Sequence, residues 1–111
     1  MSHQKFKTCI DACNACAAEC GHCSTACLEE QDVKMLKRCI QLDRDCAAIC
    51  LLAVEAMARG SEFANKICAI CAEICEACAA ECEMHSHMEH CKNCADACRK
   101  CAQECKVMSN N

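Results

Sequence analysis

Cysteine recurs along this chain with the three- and four-residue steps that mark one face of an α-helix. Nineteen of the 111 residues are cysteine, and sixteen of them fall in three runs with these steps. Because such steps follow the inward-facing side of a helix, each run predicts a helix that turns a column of thiols towards the core. The runs are Cys9, Cys13, Cys16, Cys20, Cys23 and Cys27; Cys68, Cys71, Cys75, Cys78 and Cys82; and Cys91, Cys94, Cys98, Cys101 and Cys105.

Breaks between the periodic segments divide the chain into four predicted helices. Short connections force consecutive helices to run antiparallel. We therefore predict an all-α fold, an up-down-up-down antiparallel four-helix bundle with a Cys-lined core, formed as one domain over residues 1–111. The predicted helices cover approximately residues 4–28, 32–59, 61–84 and 87–108.

Local signals predict where these helices begin and end. Asp32 and Ser61 are expected to cap the second and third helices, and Gly60 to end the second in a left-handed conformation. Ser86 and Glu89 match a capping box for the fourth helix. The second helix differs from the others, because its inward face is only partly thiol. That face is predicted to carry Met35, Cys39, Leu42, Cys46, Cys50 and Val54 or Met57.

Composition excludes several classes of function. The net charge is −4, and the basic residues form no stripe that could follow a phosphate backbone, so a nucleic-acid partner is not expected. No apolar stretch is long enough for a signal-peptide core or a membrane span, and we expect a cytosolic protein. A reducing cytosol favours metal binding over a disulfide framework. No catalytic constellation is visible, so an enzyme is not expected.

The thiol spacing is typical of soft-metal binding. Helical residues four apart have Cβ atoms about 5 to 6 Å apart, and a linear sulfur–metal–sulfur unit with bonds of about 2.3 Å spans about 4.6 Å. A local pair of thiolates can therefore hold a low-coordinate Cu(I) ion. Eight such pairs occur, namely 9/13, 16/20, 23/27, 46/50, 71/75, 78/82, 94/98 and 101/105.

Charge also favours Cu(I), because buried thiolates need compensating cations. Bridging thiolates would allow on the order of one Cu(I) per cysteine and leave the core neutral. A zinc buffer or an iron–sulfur electron carrier stays open as the alternative, although tetrahedral sites require thiols from several helices to converge. Inert packing of nineteen thiols is disfavoured, since Ala or Val would fill the same positions without the risk of oxidation.

A cluster of His and Met lies between the third and fourth predicted helices. Both residue types can bind copper, and we expect the cluster to form an entry for metal at one end of the bundle, with Met35 nearby. His3 and His22 are not expected to be ligands. The candidate cluster is Met84, His85, His87, Met88 and His90, and an apolar plug of Phe6, Met57, Phe63 and Met108 is expected at the opposite end.

A second apolar stripe is predicted outside the thiol columns. Together its residues exceed what a thiol-filled bundle can bury, and an exposed apolar strip usually marks a partner surface. We therefore expect an interface between copies of the chain. The stripe comprises Ile67, Ile70 and Ile74 on the third helix and Leu36, Ile40, Leu51 and Leu52 on the second.

These features together resemble the cytosolic members of the bacterial copper storage protein family. The resemblance covers essentially the whole chain: the three thiol columns, the Cys-containing segments 39–46 and 67–75, and the His-rich turn. Exported members of that family carry a twin-arginine leader and fewer cysteines, so we expect a cytosolic member of the family. The resemblance implies a four-helix bundle that stores many Cu(I) ions and assembles as a homotetramer.

Overall fold

A computed structural model describes residues 6–110, which form four α-helices and one short 3₁₀-helix. His3 and the predicted helix start at residue 4 lie outside this range. The helices are α1 (Lys7–Leu28), α2 (Lys37–Arg59), α3 (Ala64–Glu83) and α4 (Glu89–Ser109), and the 3₁₀-helix Val33–Leu36 leads into α2.

The helices pack as a closed ring of antiparallel neighbours. Each helix contacts the next along the chain, and α4 returns to contact α1, giving a bundle of 47 × 18 × 18 Å. Cysteine fills the centre, while small Ala residues such as Ala53, Ala72 and Ala79 pack close to it. The prediction of an all-α, up-down-up-down bundle with a Cys-lined core is confirmed. Within residues 6–110, no helix has both the length and the apolar character needed to cross a membrane.

The ends of the helices follow only some of the predicted signals. Gly60 ends α2 with φ 67°, the left-handed conformation expected there. Ser61 Oγ accepts a hydrogen bond from the Phe63 backbone N–H at 3.1 Å, although α3 begins only at Ala64. The predicted Asp32 cap is wrong, because the backbone carbonyl of Asp32, and not its side chain, accepts the Met35 N–H.

The predicted capping box of Ser86 and Glu89 is also wrong. The chain continues in turns past Ser86, and Met88 N–H donates to the His85 carbonyl at 3.0 Å. Met88, with φ −95° and ψ 126°, is therefore the residue that precedes α4, and no side chain caps the helix. The α4 helix begins two residues later than the predicted start at residue 87.

Candidate metal centre

The nineteen cysteines form one buried column of free thiols along the axis of the bundle. Neighbouring Sγ atoms lie 3.5–4.0 Å apart, both within one helix and between helices. Contacts between helices include Cys46 to Cys75 and Cys39 to Cys82, each at 3.5 Å. The column is therefore a three-dimensional network of sulfur, and not four separate rows.

Five of the eight predicted pairs within single helices have Sγ atoms 3.8–4.0 Å apart, which is closer than a linear metal bridge requires. Cys16 and Cys20 Sγ lie 3.9 Å apart, and the Cys71–Cys75 and Cys94–Cys98 pairs are also at 3.9 Å. A linear unit of about 4.6 Å would need each pair to open by roughly 0.7 Å. That opening is within the range of a small rotamer adjustment.

Thiols from several helices also converge in groups of four, which is the convergence that tetrahedral sites require. Within each group the sulfur atoms lie within 4.8 Å of one another. Some thiols belong to more than one group, so an ion in one group can share a thiolate with an ion in the next. Three such groups are Cys16/Cys46/Cys50/Cys75, Cys16/Cys20/Cys46/Cys98 and Cys20/Cys78/Cys94/Cys98.

Asp43 interrupts the thiol column, and sequence reasoning missed it. Its side chain is 0% exposed. Its Oδ1 accepts hydrogen bonds from the Cys78 and Cys94 thiols at 3.2 and 3.3 Å. Burial raises the carboxyl pKa to about 10, and negative charge on Cys94, Cys78 or Cys39, when they are ionised, acts in the same direction. Asp43 is therefore protonated at neutral pH in the metal-free protein.

The helical period admits Asp43 on the inward face of α2 as well as Leu42. The inward face of α2 is buried at Cys39, Asp43, Cys46 and Cys50, with steps of four, three and four. Of the predicted members of that face, Leu42 is only half-buried, and the prediction is wrong for Met35, which is exposed in the 3₁₀-helix before α2. Asp43 thus occupies a position that holds a thiol in the other helices.

Burial also disfavours ionisation of thiols near one end of the column. It raises the pKa of Cys91 to about 12, and the charge of Cys39 acts in the same direction. Burial likewise raises the pKa of Cys27. The metal-free thiols of Cys91 and Cys27 hold their protons at neutral pH, so binding of a cation to them as thiolates releases protons.

His90 is the member of the His and Met cluster that reaches the thiols. Its Nδ1 lies 3.5 Å from Cys23 Sγ, 3.6 Å from Cys91 Sγ and 3.9 Å from Cys27 Sγ. On the other side of the ring, Nε2–H donates to Glu30 Oε2 at 2.8 Å. His90 is therefore oriented with a ring nitrogen towards the column.

The other cluster residues lie around His90 at the same end, which we call the mouth. His85 is buried and its Nε2 lies 3.1 Å from Glu81 Oε2. His87 and Met84 are exposed, and Met88 is half-buried. A cavity of about 350 Å³ opens here, lined by Glu30, Gln31, Asp32, Met35, Leu36, His85, His87 and Met88. The cluster and Met35 thus meet as predicted, and the acidic turn after α1 lies beside them.

The opposite end of the bundle, which we call the closed end, is only partly as predicted. Phe6 and Met57 are buried in the core, and Met108 packs against it half-buried. Phe63 is 56% exposed, so its predicted place in the apolar plug is wrong. Because α3 begins after Phe63, that ring lies outside the helix whose inward face fills the core.

Comparison with known proteins agrees with this architecture. The family model for the copper storage protein matches residues 2–110. The chain belongs to the copper storage protein family. The uncharacterized cysteine-rich protein YhjQ of Bacillus subtilis is a relative with 52% identity over 89 residues, which cover 80% of this chain and 82% of YhjQ.

Two solved structures of family members superpose over nearly the whole chain. The Cu(I)-bound copper storage protein BsCsp3 is 49% identical, with a TM-score of 0.88 over 98% of this chain and 99% of that one. A cytosolic copper storage protein from Streptomyces lividans, solved with five coppers, is 36% identical, with a TM-score of 0.93 over 99% of this chain and 96% of that one. Both relatives hold copper on this fold.

In this member of the copper storage protein family, the predicted apolar stripe lies largely on the outside of α2 and α3. Ile70 is 52% exposed, Leu51 and Leu52 are also exposed, and a shallow groove runs between the two helices beside Leu52 and Ile74. Leu36 was assigned wrongly to this stripe. It is 3% exposed, because the 3₁₀-helix that carries it turns its side chain under the mouth.

Proposed function

We propose that the protein stores Cu(I) ions inside its bundle, bound by the thiolates of the nineteen cysteines. The observation that carries this proposal is the density of the thiol network, in which sulfurs from all four helices lie 3.5–4.0 Å from their neighbours on both sides of Asp43. Soft thiolates bind Cu(I) preferentially. Each Cu⁺ neutralises one thiolate, so the loaded core carries little net charge and avoids the cost of buried anions.

Family membership favours this function over the alternative of a zinc buffer or an iron–sulfur carrier. The superposed relatives are copper storage proteins, one Cu(I)-bound and one with five coppers. The shared thiols of the four-sulfur groups also suit bridged copper, because a thiolate common to two groups can bind two ions. We infer a storage role without catalysis.

We further propose that Cu(I) enters at the mouth. His90 is in contact with the outermost thiols, while Met88, His85 and His87 line the cavity through which an ion would arrive. Exposed Met84 offers a thioether outside that cavity. The carboxylates of Glu30 and Asp32 beside it attract a cation. The closed end has buried apolar side chains in the corresponding place.

We propose that the protein functions as a homotetramer in the cytosol. The strip on α2 and α3 that includes Ile67, Ile70 and Ile74 is the surface available for contacts between copies. A reducing compartment keeps the free thiols ready for metal. The Streptomyces lividans relative is described as cytosolic.

Copper K-edge X-ray absorption on the fully loaded protein tests the storage proposal. A bridged core predicts a first shell of sulfur together with short copper–copper scattering. A first shell of nitrogen or oxygen would contradict thiolate storage. Sulfur without copper–copper scattering would contradict the bridged network.

A substitution sharpens this test. Cys46 belongs to two of the four-sulfur groups, so Cys46→Ala should reduce the copper–copper signal and lower the capacity by more than one ion. Ala47→Ser, on the half-buried neighbouring position, serves as the control and should leave both unchanged. A loss of one ion or none for Cys46→Ala would contradict bridging at that thiol.

A further inference from the structure

Four potential ligand atoms at the mouth form a compact tetrahedron. They are the thiols of Cys23 and Cys27 near the end of α1, the thiol of Cys91 in the first turn of α4, and Nδ1 of His90. The three Sγ–Sγ distances are 3.8, 3.8 and 4.0 Å, and the three Nδ1–Sγ distances are 3.5, 3.6 and 3.9 Å. All six edges therefore agree to within 0.5 Å.

These edges are the ones that a tetrahedral zinc ion requires. With Zn–S bonds of about 2.3 Å and a Zn–N bond of about 2.05 Å, a regular tetrahedron has S–S edges of about 3.8 Å and S–N edges of about 3.6 Å. Three cysteines and one histidine are also a common ligand set of structural zinc sites. The ligands need no rearrangement to reach zinc geometry, whereas a linear Cu(I) pair at this place must open towards about 4.6 Å.

Glu30 adds a second feature of zinc sites. It accepts the Nε2–H of His90 at 2.8 Å, and this bond leaves the Nδ1 lone pair free to point at the three thiols. A carboxylate that holds a histidine ligand in this way fixes the tautomer of the ring and increases its basicity towards the metal. The groups of four thiols deeper in the column contain no histidine.

We propose that Cys23, Cys27, Cys91 and His90 bind one Zn²⁺ ion when the store is empty of copper, with Glu30 as the residue that positions His90. This site goes beyond the storage of Cu(I). It places zinc across the mouth, in front of the remaining thiols. Copper entering the column then displaces this ion, so that loading releases one Zn²⁺ per chain.

The first test uses Co²⁺ as a spectroscopic substitute for zinc in the reduced, copper-free, full-length protein. Half an equivalent per chain is added so that the ion selects the tightest site. The expected spectrum is that of a tetrahedral ion with three sulfur ligands and one nitrogen ligand, and Zn²⁺ should bleach it at one equivalent. A four-sulfur spectrum, or no tight binding of either ion, would overturn the proposal.

Two substitutions and their matched controls locate the ion. His90→Ala should remove the nitrogen ligand and abolish the stoichiometric step, while His22→Ala, an exposed histidine beside Cys23, should leave it unchanged. Glu30→Ala should weaken zinc binding about 10- to 100-fold, and Glu30→Gln should recover part of it because the amide oxygen still accepts the Nε2–H. Glu29→Ala removes an exposed charge from the same turn and should have little effect.

Some outcomes would place the zinc elsewhere. An unchanged Co²⁺ spectrum in His90→Ala would mean that the tightest site lies among the core thiols, and equal effects of Glu30→Ala and Glu29→Ala would reduce Glu30 to a surface charge. Either result overturns the zinc proposal but leaves the copper storage proposal unaffected. Copper storage is measured separately by the Cu(I) capacity of the same samples. Zinc release on adding Cu(I), followed with a chromophoric zinc chelator, should reach one ion per chain.

Discussion

The two ends of the bundle terminate the same thiol column with different chemistry. At the mouth, His90 touches three thiols and is held by Glu30, and a cavity of about 350 Å³ lies beside it. At the closed end, Phe6 and Met57 are buried against the last thiols. The difference shows that a helical bundle can keep its apolar stabilisation at one end and expose ligands at the other.

Met57→Ala should have the largest effect on stability. Truncation of this fully buried side chain leaves a cavity, and the metal-free protein should lose about 2–5 kcal/mol of unfolding free energy in urea. Met84→Ala at the mouth, where the side chain is 72% exposed, should change it by less than about 0.5 kcal/mol. Equal losses at the two ends would refute the assignment of packing to the closed end.

Asp43→Asn should change how stability depends on pH. Folding raises the Asp43 carboxyl pKa to about 10, against about 3.9 in an unfolded chain. The native state therefore binds the extra proton, and stability present below pH 4 is lost as pH rises towards 10. Between pH 5 and 8 the metal-free protein should lose on the order of 1 kcal/mol per pH unit, and Asp43→Asn should flatten this slope.

The exposed neighbour Asp45 provides the control for that measurement. Urea unfolding of Asp45→Asn across the same pH range should keep the wild-type slope. If Asp43→Asn kept it too, the buried carboxyl would not be protonated in the native state. Asp43 lies in the half of the column nearer the mouth, so the result tests whether that half holds a buried, protonated carboxyl.

Substitutions on the side of the bundle should break its assembly without affecting either end. Replacing Ile67 and Ile70 by Glu puts two charges on the α2–α3 strip, and light scattering should then report a monomer with an unchanged copper capacity. Val107→Glu, at an exposed apolar position on α4, should leave the oligomer intact. A wild-type protein that is monomeric at every concentration would remove this interface.

The smallest expected effect is on the rate of loading. Replacing His85, His87 and His90 together by Ala should slow transfer of Cu(I) to and from an external chelator, while the number of ions bound changes by at most a few. Phe63→Ala at the closed end, where the ring is exposed, should leave the rate unchanged. Unchanged kinetics in the triple variant would place the entrance elsewhere.

Much of the fold could be predicted because Cys and Ala repeat with a clear helical period. The period does not distinguish Leu42 from Asp43, since both keep steps of three and four residues. Leu42 was predicted on the inward face because it is apolar. Asp43 lies there instead, because the surrounding thiols satisfy its buried oxygens. Leu36 was misplaced because a 3₁₀ turn changes the direction of its side chain.

The sequence predicted that the His and Met residues of the mouth lie together, but not which of them contacts the thiols. Spacing alone does not show which of His85, His87 and His90 is a ligand. Among the contacts described for residues 6–110, only His90 faces the thiols of Cys23 and Cys91, because the turns between α3 and α4 orient it that way. The capping box failed for the same reason, because these turns extend to Met88. Loop geometry of this kind depends on contacts between distant segments, such as His90 with Glu30.

The central claim is that the whole column stores bridged Cu(I). Anaerobic titration of the reduced, metal-free protein with Cu(I), against a competing chromophoric chelator, tests it most directly. A bridged column predicts saturation on the order of one ion per cysteine, with release of thiol protons. Far-UV circular dichroism should show high helicity before any copper is added, since protonated cysteine packs as an apolar residue. Saturation near one ion per two cysteines would contradict the bridged column, and a chain that becomes helical only with copper would contradict a preformed one.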